Sequence, residues 1–305
     1  MFKEYPSIEN HYHNKFINHF KLLYPELENS PYVILEKIHG TNFNLVFNGS
    51  NVSIGKRSKI LPMNEKFFGL QDYIHGGKFD ELIRKFIRLS SNNPIQLYGE
   101  YFGPGINKGV NYGKEKQIRF FDVRINSLMM PHNHFVEMMF NLGFNDLVVP
   151  QLDIVESLDD ALNFNPEINS KFTVDDSVNL MEGIVIKPYT KVFISPVGEY
   201  LMLKKKNEKF MEKQRQKEPK KENTVIDNLN NQFLDYVTEN RLINIFSQHG
   251  EIQDKKEIGE YIRLLIEDAK KDFLKDVDLP VLDKNERKQV FNAGSKPFQL
   301  LQKYL

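Results

Sequence analysis

The dipeptide Asn48-Gly49 constrains this chain most, because it sits between two stretches that both read as strands. Residues 41–47, TNFNLVF, and the following VSIGKRS alternate apolar and polar types. Asn-Gly is the strongest short signal for a tight hairpin turn. A connection this short cannot carry a parallel crossover, so the two strands must be antiparallel. Further strand signals rich in β-branched and aromatic residues occur at 32–38, 95–102, 117–125, 183–187 and 199–204. Helical patterns are expected at 7–22, with Ile8, Phe16, Ile17 and Phe20 on the apolar side, and near 80–90 and 133–142.

The pattern changes after Lys204. Between Lys204 and Lys221 nine Lys/Arg stand against three Glu, and Pro219 interrupts the run. Beyond it Ile226, Leu229, Phe233, Tyr236 and Val237 recur at helical spacing, as do Ile258, Tyr261, Ile262, Leu265 and Ile266. The expected organisation is an antiparallel-rich α+β domain over 1–207, a charged linker over 208–223 and an all-helical domain over 224–305. No internal repeat is visible.

Composition excludes several function classes. The chain has 305 residues and no cysteine, which removes disulfides, thiolate zinc sites and cysteine nucleophiles. Forty-one basic residues balance forty-one acidic ones, so a uniformly basic nucleic-acid coat is absent. Any nucleic-acid contact must come from local clusters such as 204–221. The polar opening MFKEYPSIENHYHNKF has no apolar core of a signal peptide, and no apolar run approaches a membrane span. A cytoplasmic protein is expected, in a host cytosol if the gene is carried by a phage.

Four segments place charged residues beside strand-like sequence: EKIHGTN at 36–42, YGEYFG at 98–103, MEGIVIKP at 181–188 and LKKKN at 203–207. Each alone fits a solvated lysine or a turn glutamate. Together they offer one lysine near a glycine, two glutamates in separate strand contexts and a Lys-x-Lys pair. Lys204 and Lys206 are two apart, so on a strand they share a face. Two ammonium groups on one face repel unless an anion lies near them, and phosphate is the natural candidate. Glu182 is a candidate ligand for a hard cation such as Mg²⁺. This inventory suits phosphoryl transfer.

Lys37-Ile38-His39-Gly40 resembles the first motif of the covalent nucleotidyltransferases, which include DNA ligases, RNA ligases and capping enzymes. His39 stands where DNA ligases and capping enzymes carry Asp. Lys-x-His-Gly followed by Thr41-Asn42-Phe43 is similar to the RNA ligase 2 family of phage nick-sealing ligases. The opening MFKEYPSIENHY, Lys56-Arg57, Phe67-Phe68-Gly69, Gly99-Glu100, Gly103-Pro104-Gly105, Phe121-Asp122, Glu182-Gly183 and Lys204-x-Lys206 follow in that family's order. Residues 236–252 are similar to its helical appendage. The stretch 124–180 is the part that does not align.

That resemblance implies a nucleotidyltransferase (ATP-grasp-like ligase) fold and an ATP-dependent RNA ligase. It implies that Lys37 takes AMP from ATP with Mg²⁺ or Mn²⁺ and passes it to an RNA 5′-phosphate, which a 3′-hydroxyl then attacks. A free lysine has a pKa of about 10.4 and is a poor nucleophile when protonated; cations at Lys204, Lys206 and a bound metal would favour its neutral form. The resemblance further implies that Phe121 stacks on adenine, Glu36 reads the adenine edge and Glu100 accepts from the ribose hydroxyls. Asn42 and Arg57 would reach ribose, phosphate or the RNA end, with Ile38 and Lys187 completing the nucleotide-binding set. Glu182 would hold the metal and His39 would lie near the leaving pyrophosphate. The implied partner is RNA with 3′-hydroxyl and 5′-phosphate ends, as in a nicked duplex, with no membrane and no obligate protein partner.

Two other readings stay beside this one: a capping-type guanylyltransferase or DNA ligase, and a non-catalytic RNA-binding relative. Three features are weaker. Gly49 to Lys56 imitates a phosphate loop but carries five residues between its glycines and falls in the hairpin. Gly103, Gly105 and Gly109 imitate a dinucleotide fingerprint without the helix that it needs. His11-Tyr12-His13 and His132-Asn133-His134 are possible metal pairs lacking further ligands.

Overall fold

A computed structural model describes residues 2–173, 178–211 and 224–305. The chain divides into two compact units, Met1–Asn207 and Glu208–Leu305. The first runs β1 (Glu9–Asn10), α1 (Asn14–Leu23), β2 (Tyr32–Lys37), β3 (Thr41–Asn48), β4 (Asn51–Lys56), β5 (Lys59–Ile60), α2 (Leu70–His75), α3 (Asp80–Leu89), β6 (Ile95–Phe102) and β7 (Gln117–Ile125). It continues through β8 (Leu128–Met129), α4 (His132–Asn141), β9 (Gln151–Val155), α5 (Leu158–Asn163), β10 (Gly183–Pro188) and β11 (Leu203–Lys206).

These strands form two sheets, sheet A in the order β1-β11-β10-β2-β9 and sheet B in the order β5-β4-β3-β6-β7-β8. Every pairing is antiparallel except β1 with β11. Sheet B follows directly from hairpin chemistry: Asn48 faces Asn51 across the turn, with Gly49 at φ 59°. The glycine takes the left-handed conformation that the turn demands.

Alternation then decides which face each sheet buries. Phe43, Leu45, Phe47, Ile95, Leu97 and Phe120 point from sheet B into a core closed by α2, α3 and α4. On α3 the (i, i+4) pair Leu82 and Phe86 is fully buried, and the Phe86 ring lies 5.3 Å from that of Phe47. Tyr32, Ile34, Ile184, Ile186 and Leu203 of sheet A pack on Ile17 and Phe20 of α1 and on Leu158 and Ala161 of α5. The remaining faces look toward each other. Tyr98 of β6 meets Met202 of the segment entering β11 in one small cluster, and Lys187 of β10 pairs with Asp122 of β7.

Two expectations change. Residues 7–13 are not helical: the helix begins at Asn14, and Glu9–Asn10 forms a strand beside Leu203–Lys204. The apolar spacing that suggested one helix is met by two different structures, because β11 offers an edge that the helix could not pair. The strand expected at 199–204 is Leu203–Lys206 instead; Tyr200 makes only an isolated bridge to Ile194.

The second unit has no strand among its described residues. It runs α6 (Val225–Leu234), α7 (Glu239–His249), α8 (Ile258–Asp276), α9 (Lys284–Val290) and α10 (Lys296–Leu301). Phe233, Leu242, Ile245, Leu265, Phe273, Val290 and Leu301 make its core. Thr224 with Asp227, and Asp283 with Glu286, are capping boxes; each satisfies amide groups that a helix start leaves unpaired, contributing typically about 1 kcal/mol. Arg241, 1 % exposed, donates to Asp268, to Asp272 at 3.0 Å and to the Tyr236 carbonyl at 2.9 Å. The charged linker expected at 208–223 falls largely on residues 212–223, outside the described residues. No helix among the described residues is long and apolar enough to cross a membrane.

Candidate active site

Sheet A brings the reacting row together. Lys37 ends β2, Gly183 opens β10 and Lys206 ends β11, and in register Lys37 faces Gly183, which faces Lys206. The two lysines are thus two strand spacings apart, roughly 9–10 Å at the backbone. The residue between them must lack a side chain: a Cβ on Gly183 would fall 2.2 Å from the Lys205 carbonyl oxygen, and its φ is 153°. Lys204 lies one row back, opposite Val185, on the same face.

Glu182, 1 % exposed, supplies the counter-charge. Its Oε2 accepts from Lys37 Nζ at 2.7 Å and lies 3.5 Å from His39 Nδ1. Its Oε1 forms an ion pair with Lys206 Nζ at 2.8 Å. Burial pushes the carboxyl up, but Lys206, Lys37 and His39 outweigh burial and hold it well below the usual carboxylate range. Lys206 of the Lys-x-Lys pair thus has an anion within the protein. Among the described residues no three His, Asp or Glu side chains cluster as a metal cage. Glu182 is a carboxylate that could hold a divalent ion there together with substrate phosphates, the usual habit of Mg²⁺.

Sheet B contributes the opposite wall. Gly40 enters β3 so close to β6 that a Cβ would meet the Tyr101 carbonyl oxygen at 2.4 Å. Its amide donates to Glu100 Oε1 at 3.2 Å. Asn42 faces Glu100 in register, and its buried Oδ1 has no hydrogen-bond partner. Burial, reinforced by Glu182 and opposed by Lys37, pushes the Glu100 carboxyl up to about 8. The folded protein therefore binds a proton here between the ordinary carboxylate value and pH 8, where the unfolded chain does not. Stability from this group falls as pH rises through that window. Glu100→Gln removes the effect, so the thermal midpoint of the variant is expected to gain on the wild type from pH 5 to pH 9. Parallel pH curves would refute it.

The neighbouring aromatic pair divides as period two requires. Phe120 is in the core, its ring 5.5 Å from that of Phe43, whereas Phe121 is half-buried on the other side. A bulge follows: Tyr98 pairs with Asp122 and Gly99 with Phe120, so Phe121 is the extra residue and Val123, not Asp122, is the next to enter the core. The Phe121 ring stands edge-on to Tyr5 at 4.9 Å.

Four expected site residues have protein partners of their own. Glu36 is buried, with Oε1 accepting from Ser170 Oγ at 2.5 Å and Oε2 from the Lys171 amide at 2.9 Å. Burial raises its carboxyl, opposed by those bonds. Lys187 is buried on Asp122 and also donates to the Phe121 carbonyl at 3.0 Å; it is not in the cluster around Lys37. Ile38 is buried, and half-buried Arg57 lies 3.5 Å from Glu4. Removing Asp122 leaves the Lys187 charge uncompensated, so Asp122→Ala is expected to cost about 3–5 kcal/mol of stability, read by denaturant unfolding. A loss under 1 kcal/mol would contradict it.

Sequence reasoning missed the groups that hold the motif loop. Tyr112 Oη accepts from the His39 amide at 2.7 Å, and Asn107 Nδ2 donates to the Gly40 carbonyl at 2.6 Å. Both lie in the glycine-rich loop 103–113, whose only sequence signal was its glycines. The weaker features settle as structure. Lys56 pairs with Glu65 at 2.8 Å, Phe67 is in the core and His13 is bound to Glu9 at 2.9 Å. His132 is 1 % exposed, and burial followed by Lys187 lowers its pKa well below the usual imidazole value.

Two sheets enclosing a lysine, its glutamate and a Lys-x-Lys strand are the nucleotidyltransferase fold of ligases. The sequence model of the RNA ligase family matches residues 30–206, and that of the T4 RNA ligase 2 C-terminal region matches residues 220–297. The chain belongs to the RNA ligase family, and its second unit places it with the RNA ligase 2 members. Among solved structures it is similar to Naegleria gruberi RNA ligase. An apo mutant is 16% identical over 67% of this chain and 55% of that one, at a TM-score of 0.48. A mutant with ATP and Mn is 15% identical over 68% and 56%, at 0.47. A mutant with AMP and Mn is 16% identical over 68% and 57%, at 0.49. The chain thus spans little more than half the length of the Naegleria protein.

Proposed function

We propose that this protein is an ATP-dependent RNA ligase that works through AMP bound covalently to Lys37. The observation that carries the reading is the row Lys37–Gly183–Lys206 with the Glu182 carboxylate bound to both lysines. An amine, a buried carboxylate and a second amine gathered at one row are parts that nucleotidyl transfer needs. Lys37 Nζ attacks the α-phosphorus of ATP: the N–P bond forms, the bond to pyrophosphate breaks and the amine gives up a proton. A 5′-phosphate oxygen of RNA then displaces Lys37 from the AMP phosphorus. Finally a 3′-hydroxyl attacks the activated 5′-phosphate and AMP leaves. Glu182 would hold a divalent ion, which when bound would neutralise phosphate charge.

The protein's own groups do the rest. Lys206 and Lys204 meet the charge that develops on the α-phosphate. Asn42 Oδ1, a buried acceptor without a partner, and Glu100 opposite it suit the donor hydroxyls of a ribose. Phe121 offers a ring to the base, and His39, 3.5 Å from Glu182, stands on the pyrophosphate side. RNA with 3′-hydroxyl and 5′-phosphate ends, at a nick in a duplex, is the proposed substrate, in the cytoplasm. A capping enzyme or DNA ligase normally follows this fold with a β-barrel, whereas the described part of the second unit is helical.

Intact mass after incubation with ATP and Mg²⁺ or Mn²⁺ tests the reading. The wild type is expected to gain one AMP, Lys37→Ala none, and GTP or NAD no adduct. An unshifted wild type across pH and metal, or an adduct on another lysine, overturns it.

A further inference from the structure

Sheet A has its phosphate-facing strand next to its edge. β11 is four residues long and carries two lysines on one face. On one side β10 holds it; on the other only the two-residue strand β1 does. The Glu9 amide donates to the Met202 carbonyl and the His11 amide to the Lys204 carbonyl, each at 3.0 Å. These two bonds grip the backbone just before β11 and at its first lysine.

A two-residue strand cannot hold a sheet edge by itself, and this one is anchored at both ends. Before it, Lys3 exchanges two hydrogen bonds with the Gln96 side chain of β6, at 2.9 and 3.0 Å, and its carbonyl accepts from Tyr98 Oη at 2.9 Å. Tyr5 Oη donates to Asp122 Oδ2 of β7 at 2.6 Å, and Asp122 in turn holds Lys187 of β10. After it, the buried Glu9 carboxylate binds His13 Nδ1 at 2.9 Å, and the His13 amide closes the turn on the Asn10 carbonyl at 3.0 Å. The segment therefore begins on sheet B and ends on the edge of sheet A.

We propose that residues 3–13 are a positioning element for nucleotidyl transfer. They tie sheet B to β11 and so set Lys204 and Lys206 against Lys37, with Tyr5 and the Glu9–His13 pair as the two anchors. This rests on the proposed ligase reading for its chemistry, but its geometry can be tested apart from it. Tyr5, Glu9 and His13 are positioning residues, because they act through Asp122 and β11. The hydrogen bonds of the segment act on β11 and so on where the amines stand, while the Tyr5 ring that meets Phe121 is retained in Tyr5→Phe and untouched by changes at Glu9. Losing those bonds should therefore lower the rate at saturating ATP and leave the half-saturating concentration alone.

The experiment uses the full chain with Tyr5→Phe, Glu9→Ala and Glu9→Gln. Folded Tyr5→Phe and Glu9→Ala are expected to form the AMP adduct at least tenfold more slowly at saturating ATP, with half-saturation within twofold of the wild type. Glu9→Gln, which still accepts from His13, is expected to return to within threefold. Amide exchange at residues 203–206, measured without ATP, should accelerate in the two slow variants. If Glu9→Ala does not fold, Tyr5→Phe decides alone. Wild-type rates, or a defect confined to half-saturation, overturn the proposal. Unchanged exchange at 203–206 also overturns it, and does so even if the wild type forms no adduct and the ligase reading itself fails.

Discussion

Lys206→Ala and Glu182→Ala are each expected to slow formation of the AMP adduct by about 10²–10³, the usual loss when one preorganised charge contact to a transition state is removed. The two changes fail for different reasons. Lys206 is nearly buried and faces Lys37 across a glycine, so truncating it removes a cation from where α-phosphate charge develops. Glu182 touches Lys37, His39 and Lys206 at once. Without it the two ammonium groups, each bound to one of its oxygens, stand within about 8 Å of each other with no anion between them, a repulsion of at least about 2 kcal/mol at an effective dielectric of 20. Lys206→Ala leaves Glu182 paired with Lys37 and should unfold close to the wild type, whereas Glu182→Ala strips two cations of their anion and is expected to lower the thermal midpoint, so its rate is read below that midpoint. Single-turnover transfer from radiolabelled ATP reads the rate. A folded Lys206→Ala protein reacting at wild-type speed would remove the phosphate clamp from the mechanism.

The second large effect separates ATP chemistry from end joining. Residues 1–222 alone are expected to form the AMP adduct at near the full-length rate and to seal a 5′-phosphorylated nick at least tenfold more slowly. Every residue of the proposed site lies in the first unit, which has its own cores. The second unit has a separate core and contributes none of them. Its proposed contribution is to hold RNA, through phosphate contacts whose strength falls steeply with salt. The full chain is further expected to prefer RNA over DNA on the 3′-hydroxyl side, where the 2′-hydroxyl distinguishes them. Nicked and single-stranded substrates with ribose or deoxyribose 3′ ends make the comparison. Equal sealing by the fragment would give the helical unit another task, and equal sealing of deoxyribose ends would remove the RNA preference.

What could be read from the sequence follows from how local each signal is. The strands at 95–102 and 117–125 and the β3–β4 hairpin were legible because alternation and Asn-Gly act within a few residues. The Lys37–His39 motif was legible through its resemblance to the ligase motif, and Lys204 with Lys206 because residues two apart on a strand share a face. Residues 7–13 were misread because their fate depends on an edge nearly two hundred residues away, at Leu203 and Lys204. Lys187 was placed in the nucleotide-binding set by the resemblance, and its partner Asp122, which comes from the other sheet, left no local signal. Glu36 likewise meets Ser170 and Lys171 from the stretch that would not align. Tyr112 and Asn107 carry no pattern at all; they matter through where a glycine-rich loop folds back.

The order of strands in sheet A also bears on when the protein first becomes reactive. Lys37 is made early, but its neighbour in the sheet is β10, and Lys206 reaches it only through β10. Synthesis runs from the amino terminus, so a ribosome-bound chain displays the proposed nucleophile long before Glu182 and Lys206 have emerged. Until then Lys37 ends a strand with one side of its ladder unfilled. On the proposed mechanism, competence therefore arrives late and at once, when the last strand of the first unit docks, and an incomplete chain would have no assembled site with which to consume ATP.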